Sequence, residues 1–442
     1  MLTLSRAKTI GKLAFPIILA MISVNLISLV DVYMVGQLGD NALAATTIGG
    51  FAANLLMAPV IGLNAAVQAL TGRRFGADGA NERLCFPLNA GLIWSLILGI
   101  PLTALSWWIV PGFVGFLNND PGVVTEAIPY MRFFLLGIVF IGMSRAFQGY
   151  WNGLGKPIFY FSTVLIGHAV NIVMNYMFIF GNWGAPRLGV KGAAVGSLIS
   201  MAVMVLAYFA LGFVKSKGQG FLAGLPKDGS FKTIMRLGLP VSVQSSSFNA
   251  GYVVFIWMVG LVGTAEVAAA GVIMNLTMVA ILPGMGLGIS AATLVSQSLG
   301  RQEPENATQW GWDAAILSVA IMALFGFPMA LFPDWVLGIF IHNPETVALA
   351  RGPLRLAGLS VGMLGISFTL MHSLLGAGDN KRVMKASISW QWGFMLPLVF
   401  LVGPTLGNGL MAIWFVQLVY CAMLVMTYIL LWRGRRWQSI RI

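Results

Sequence analysis

One acidic residue lies deep inside an apolar stretch near the start of the chain. Asp31 is set in the sequence Leu29-Val30-Asp31-Val32-Tyr33, whereas the other thirteen acids fall in loops or near helix ends, Asp313 least clearly. A charged side chain at a bilayer centre costs about 2.5–3.5 kcal/mol on insertion scales, so acids kept there usually have a function. Such a carboxyl group can take up and release a proton near neutral pH. The alternative is a structural acid held by polar neighbours or hydrated from the outer surface.

A second group of polar residues follows a helical spacing farther along the chain. His168, Asn171 and Asn175 are three and then four residues apart, which puts them on one face of a helix. They either hold helices together or organise a proton or cation at a buried acid. Arg145 and Gln148 could line the same cavity, unless the Arg145 head group reaches the cytoplasmic surface instead.

Several kinds of chemistry lack their sequence patterns. There is no Gly-rich loop ending in Lys-Ser or Lys-Thr, so no ATP site is visible, and no hydrolase or zinc-protease motif occurs. The two cysteines, Cys85 and Cys421, fall in or beside apolar stretches and indicate neither a disulfide framework nor a metal site. We therefore expect a transporter without a cofactor rather than an enzyme.

The composition predicts the helices that must position these residues. Of the 442 residues, 58% are hydrophobic and 9% charged, whereas soluble domains carry about 25% charged residues. The first apolar stretch is too long for a signal-peptide core, and we interpret it as a retained helix. Apolar runs long enough to cross a bilayer recur twelve times, over 13–36, 44–70, 85–109, 125–149, 158–181, 188–214, 234–260, 268–295, 309–332, 353–375, 384–403 and 409–432.

The basic residues are distributed unevenly between the two sides of the predicted membrane protein. Of the 26 Lys and Arg residues, 21 fall on the side of the N-terminus, and the other five are Arg132, Arg187, Lys191, Arg351 and Arg355. Cytoplasmic loops carry the Lys/Arg excess, so both termini are predicted to be cytoplasmic. The net charge of +12 is thus a topology signal and does not indicate a nucleic-acid partner.

The chain contains an internal repeat. Residues 8–76 align with 232–300 without a gap and with 19 identities in 69 positions, among them Pro16 with Pro240 and Gly62 with Gly286. The second copy begins after six spans, so the halves share one orientation. We predict an all-α membrane protein with twelve transmembrane helices in two six-helix bundles: a first lobe over 1–214, a flexible, basic cytoplasmic linker over 215–231, and a second lobe over 232–442.

Several motifs resemble the multidrug and toxic compound extrusion (MATE) family along nearly the whole chain. They are Pro16, Asp31-Val32-Tyr33-Met34-Val35-Gly36-Gln37-Leu38-Gly39, Gly153-Leu154-Gly155-Lys156-Pro157, Asn171 to Gly181, Gly189-Val190-Lys191-Gly192-Ala193-Ala194 and Leu374-Leu375-Gly376-Ala377-Gly378-Asp379. The resemblance implies a monomeric cation-coupled antiporter of a bacterial inner membrane, which exports cationic or amphipathic drugs and dyes by alternating access.

Within that family the sequence is most similar to the DinF-like bacterial branch. The resemblance implies a proton or sodium site at Asp31, supported by Asn171, Asn175 and Ser197. The family often has a second acid where this chain has Asn175, so proton coupling is favoured over sodium coupling. An acidic site in the seventh helix is absent, because that stretch reads Gln-Ser-Ser-Ser-Phe-Asn over 244–249.

Three further residues are candidates for the wall of a substrate cavity: Tyr33, Gln148 and His168. Two other functions stay open at this point, sodium-coupled export and a flippase for lipids or lipid-linked glycans. Twelve spans and few central basic residues speak against the flippase, since such proteins tend to have a cationic cavity and extra helices.

Overall fold

The computed structural model describes residues 3–117, 120–224, 226, 228–341 and 343–442, without the side chains at 51, 52, 54 and 55. Across these ranges the regular structure is helical. The α-helices, in chain order, are α1 Leu4–Gly36, α2 Asp40–Ile61, α3 Leu63–Asp78, α4 Phe86–Leu117, α5 Pro121–Leu135, α6 Ile138–Gly153, α7 Pro157–Phe180, α8 Val190–Lys215, α9 Ser230–Gly260, α10 Thr264–Gly300, α11 Pro304–Leu331, α12 Pro333–Gly338, α13 Pro344–Ala377, α14 Asn380–Trp390, α15 Leu396–Phe400 and α16 Gly409–Arg433.

The prediction of an all-α membrane protein is confirmed. Within the described ranges, nine helical stretches are long and apolar enough to span a membrane, and ten if the bent pair α5 and α6 forms one span. The two remaining predicted spans fall on α2 with α3 and on α9. The twelve predicted spans therefore each correspond to one helix or to consecutive helices.

One span is irregular because of its prolines. Residues Asn380–Thr405 form a single apolar stretch, in which π-helical turns cover Gln391–Met395 and Leu401–Thr405. Pro397 and Pro404 lie in or next to these turns, and a proline has no N–H to continue the α-helical pattern. The wider turns accommodate the missing hydrogen bonds without ending the span.

By packing, the chain forms two compact units. The N-unit comprises Leu19–Ser242, and the C-unit comprises Met1–Ile18 with Val243–Ile442. The changes of unit, after 18 and after 242, fall at equivalent positions of the repeat, two residues beyond Pro16 and Pro240. These units differ from the lobes expected along the chain, because the first part of each copy's first helix packs with the other copy. The lobe boundaries at 214 and 232 stay a prediction.

Two glycines at equivalent repeat positions allow this close packing. In the N-unit, a Cβ atom at Gly62 would lie 2.1 Å from the carbonyl oxygen of Gly238 in α9. In the C-unit, a Cβ atom at Gly286 would lie 2.4 Å from Cγ1 of Ile18 in α1. Both distances are far below van der Waals contact, so a larger residue at either position would separate the helices.

The segment between the copies is docked on the N-unit, and the prediction of a flexible linker is wrong there. The Asn89 amide donates to the carbonyl of Gly220 (2.8 Å) and accepts from the N–H of Leu222 (3.0 Å). The Tyr150 hydroxyl bonds Ser216 (3.0 Å). The Gly- and Ser-rich composition indicated flexibility, but small residues also let the backbone lie close enough for Asn89 to bond it on both sides.

In the C-unit, the start of α1 is fastened to α11. The Arg6 guanidinium donates to the Asp313 carboxylate and to Asn306 Oδ1 (2.9 Å), and it lies 3.6 Å from the centre of the Trp310 ring. Asp313, whose place in the sequence was unclear, is thus a buried partner of an arginine. Ile10 is fully buried in a cluster with α10 and α11 one turn farther along.

Candidate functional site

Helices α7 and α8 approach closely at the height of the predicted site. A Cβ atom at Gly192 would lie 2.3 Å from the carbonyl oxygen of Phe178, and one at Gly196 would lie 2.2 Å from Oδ1 of Asn175. Glycines at both positions of α8 therefore bring its backbone against α7. This places Ser197, the residue after Gly196, beside the polar face of α7.

Four of the predicted residues form one hydrogen-bonded chain across three helices of the N-unit. Nδ2 of Asn175 donates to Oδ1 of Asp31 (2.7 Å) and to Oδ1 of Asn171 (3.2 Å). Nδ2 of Asn171 in turn donates to the Ser197 hydroxyl (3.3 Å). Asp31 belongs to α1, the asparagines to α7 and Ser197 to α8, so the chain joins residues that are far apart in sequence.

The carboxamide of Asn175 uses its two ends unequally. Asn175 is fully buried, its nitrogen makes both hydrogen bonds, and its oxygen has no hydrogen-bond partner in the described structure. A buried acceptor without a donor costs about 1–3 kcal/mol. Turning the amide over would pair that oxygen with two other acceptor oxygens, so the negative charge of Asp31 favours the observed orientation.

Tyr130 of α5 is a neighbour of Asp31 that the sequence reasoning missed. Its phenol lies close enough to the Asp31 carboxylate for an electrostatic interaction. The same ring occupies the space beside Gly49, where a Cβ atom would lie 2.6 Å from ring carbons. The one sequence signal was a hydroxyl-bearing aromatic residue within the fourth predicted span, which is too common to single out.

The structure does not join the other three candidates to this chain of hydrogen bonds. Tyr33 is 71% exposed on α1. Gln148 is buried on α6, where Oε1 accepts a hydrogen bond from Arg145 (3.1 Å). Nε2 of His168 is buried and has no hydrogen-bond partner among the described residues. Their assignment to a substrate cavity stays a prediction.

A surface cleft of about 760 Å³ lies elsewhere in the N-unit, where α2, α5 and α8 begin. Its lining includes Asn41, Glu126 and Arg187. Asp31 and the polar chain around it do not line this cleft, so it is separate from the candidate site.

Fold and site together define a class of protein: an all-helical, multi-span membrane protein with an internal repeat and a carboxylate held by amides within a span. A family model for MatE matches residues 16–177 and again 240–401. The chain belongs to the MatE family of transporters. The two matched ranges begin at Pro16 and Pro240, which are equivalent positions of the repeat found in the sequence.

Individual relatives agree with this assignment. The chain is 27% identical over 416 residues to the multidrug resistance protein NorM of Burkholderia vietnamiensis, covering 91% of this chain and 88% of that protein. It is 25% identical over 422 residues to a probable NorM of Mesorhizobium japonicum, covering 91% and 88%. Its fold matches an outward-facing multidrug resistance MATE family transporter of the MOP superfamily with a TM-score of 0.89 and 22% identity, covering 97% and 96%.

Proposed function

We propose that this transporter exports cationic or amphipathic drugs and dyes in exchange for protons, by alternating access, with Asp31 as the coupling residue. Membership of the MatE family and the multidrug resistance proteins among its relatives support drug export. The hydrogen bond between Asn175 and Asp31 supports the coupling role, because it holds one carboxylate inside the membrane without a neutralising cation. Assignment to the DinF-like branch remains part of this proposal.

The same geometry favours protons over sodium. A hard cation such as Na⁺ needs several oxygen ligands, and here the residue next to Asp31 presents its amide nitrogen. A proton needs only the carboxylate itself. We therefore propose that uptake of one proton neutralises Asp31 and weakens the hydrogen bond from Asn175, which changes how α1 and α7 are joined.

Proteoliposomes test the role of Asp31. Wild type should release protons when drug is supplied and move dye when a proton gradient is imposed, whereas Asp31→Asn should lose both while still folding. Asp40→Asn is the matched control, since Asp40 is an exposed acid in the first turn of α2, and it should keep full activity. Full drug-driven proton exchange by Asp31→Asn would overturn the proposal.

Opposed gradients separate the two cations. With a proton gradient alone, wild type should accumulate dye, and with a sodium gradient alone it should not. Export that follows the sodium gradient would instead support sodium coupling and exclude the proton mechanism.

We also propose the membrane and the topology: a monomer in a bacterial inner membrane, with both termini in the cytoplasm. The excess of Lys and Arg on the side of the termini supports this orientation. The natural cysteines are buried, so a cysteine placed at the exposed Ser439 gives a selective label site. An impermeant thiol reagent should label it in inverted vesicles and leave it unlabelled in intact cells.

A further inference from the structure

Each copy of the repeat begins with two basic side chains one helical turn apart. Lys8 and Lys12 lie near the start of α1, and Lys232 and Arg236 lie at the equivalent repeat positions of α9. All four are exposed. A spacing of four residues puts each pair on one face of its helix, about 6 Å apart along the axis.

On each helix the basic pair is followed by exposed apolar surface on the same face. Phe15 is 64% exposed and comes three residues after Lys12, and Leu239 is 56% exposed and comes three residues after Arg236. Each face thus changes from basic to apolar within two turns. That order suits a helix that passes from the cytoplasmic headgroup region into the hydrocarbon.

The opposite face of each helix is firmly held. On α1, Arg6 is bonded to Asp313 and Asn306, and Ile10 is buried. On α9, the Ser230 hydroxyl bonds the Asp228 carboxylate (2.6 Å), and Ile234 is buried. The basic pairs are therefore presented on ordered helix starts, and binding there requires little further ordering of the backbone.

The four basic side chains are unpaired within the part of the chain that the structure describes. None has a hydrogen bond, an ion pair or a ring contact, although Arg6, Arg74, Arg382 and Arg435 of the same side are each bonded to a carboxylate. Each pair thus keeps two positive charges available for a group from outside the chain.

We propose that each pair binds the phosphate of an anionic phospholipid of the cytoplasmic leaflet, one lipid per repeat, with the acyl chains along the apolar surface that follows. Two cations one turn apart complement a phosphodiester, and juxtamembrane Lys and Arg attract anionic lipids. The expected preference over a zwitterionic lipid is about tenfold or more. This inference rests on the proposed topology and not on the proposed transport activity.

Native mass spectrometry of the full chain, purified with phosphatidylglycerol and phosphatidylcholine, tests the sites directly. Wild type should retain two phosphatidylglycerol molecules. Lys8→Gln with Lys12→Gln should retain one, Lys232→Gln with Arg236→Gln should retain the other one, and the fourfold variant should retain none. Lys215→Gln with Lys217→Gln is the matched control, because it removes two exposed charges from the same side of the protein and should leave both lipids bound.

Two further arms keep the outcome unambiguous. The charge-preserving variant Lys8→Arg with Lys12→Arg should retain two lipids, which separates loss of charge from misfolding. An excess of inorganic phosphate should not displace the lipids, since the acyl chains contribute to binding. Two lipids on the fourfold variant, an equal loss in the control, equal retention of phosphatidylcholine, or displacement by phosphate would each overturn the proposal.

Discussion

Nδ2 of Asn175 donates a hydrogen bond to Oδ1 of Asp31 over 2.7 Å, which ties α7 to the acidic residue of α1. The same nitrogen also bonds Asn171, whose own amide bonds Ser197 of α8. The protonation state of one carboxyl group can therefore influence how three helices of the N-unit are held together.

Asn175→Asp should make export respond to sodium. The change places a second carboxylate beside Asp31, which supplies oxygen ligands for a hard cation and disfavours leaving both carboxylates bare. Dye efflux from proteoliposomes with a sodium gradient alone should rise several-fold over wild type. Asn249→Asp is the control, because the amide of Asn249 bonds the Ser245 carbonyl within α9 (3.0 Å). A sodium response in the control, or none in Asn175→Asp, would contradict the prediction.

Gly196→Ala should disturb the same hydrogen bond from the side of α8. The new Cβ would lie 2.2 Å from Oδ1 of Asn175, so the amide must move away from Asp31. Overpacking of this kind costs about 1–3 kcal/mol, and proton-coupled dye efflux should fall with it. Gly271→Ala of α10 meets no atom within 4 Å and should leave stability and efflux unchanged. Combining Gly196→Ala with Asn175→Ala should recover stability but not coupling.

Arg6→Ala should destabilise the C-unit. It leaves the buried Asp313 carboxylate without its partner, and the loss should be about 3 kcal/mol, at the low end for a buried pair because the Arg6 side chain is 19% exposed. Thermal unfolding in detergent measures the change. Arg351→Ala breaks a pair that is 51% and 53% exposed, so it should cost about 1 kcal/mol or less. Equal losses in the two variants would show that burial of the pair does not matter.

The linker end should contribute a stability that is lost in acid. Burial by itself raises the pKa of Asp228, but the hydrogen bonds from Ser230 and Arg74 outweigh it and hold that pKa below its ordinary value of 3.8. A lowered pKa in the folded state stabilises the protein above pH 3.8, and this contribution disappears as the pH falls through the folded pKa.

Thermal unfolding of wild type and Asp228→Asn between pH 6 and pH 3 checks this dependence. The variant should be less stable than wild type at pH 6, and the difference should shrink toward pH 3. Glu82→Gln, at an exposed position of the same side, should show no such convergence. A gap between Asp228→Asn and wild type that is constant with pH would contradict the prediction.

Parts of the site could be predicted from the sequence because they depend on one helix at a time. Asp31 stands out by its apolar surroundings, and Asn171 and Asn175 share a face by their spacing alone. Ser197 was reached through the family resemblance. Tyr130 and Gly196 were missed, because their importance lies in contacts with other helices and no spacing along the chain encodes such contacts.

Other features misled the sequence reasoning or went beyond it. His168 has the spacing of the polar stripe, yet the structure gives it no bond to Asn171 or Asn175. The linker has a flexible composition, yet Asn89 fastens it to the N-unit. In both cases the outcome depends on which groups are nearby in space.

The sequence by itself determined the helices, the internal repeat and the intramembrane acid. These follow from local physics: a bilayer demands apolar helices of a certain length and penalises each charge within them. Only the tertiary structure decided which residue holds Asp31, that Arg6 pairs with Asp313, and that each first helix changes its packing unit after 18 and 242. Those relationships arise from close approach of helices far apart in the chain, which depends on side-chain shapes across interfaces rather than on any pattern along one segment.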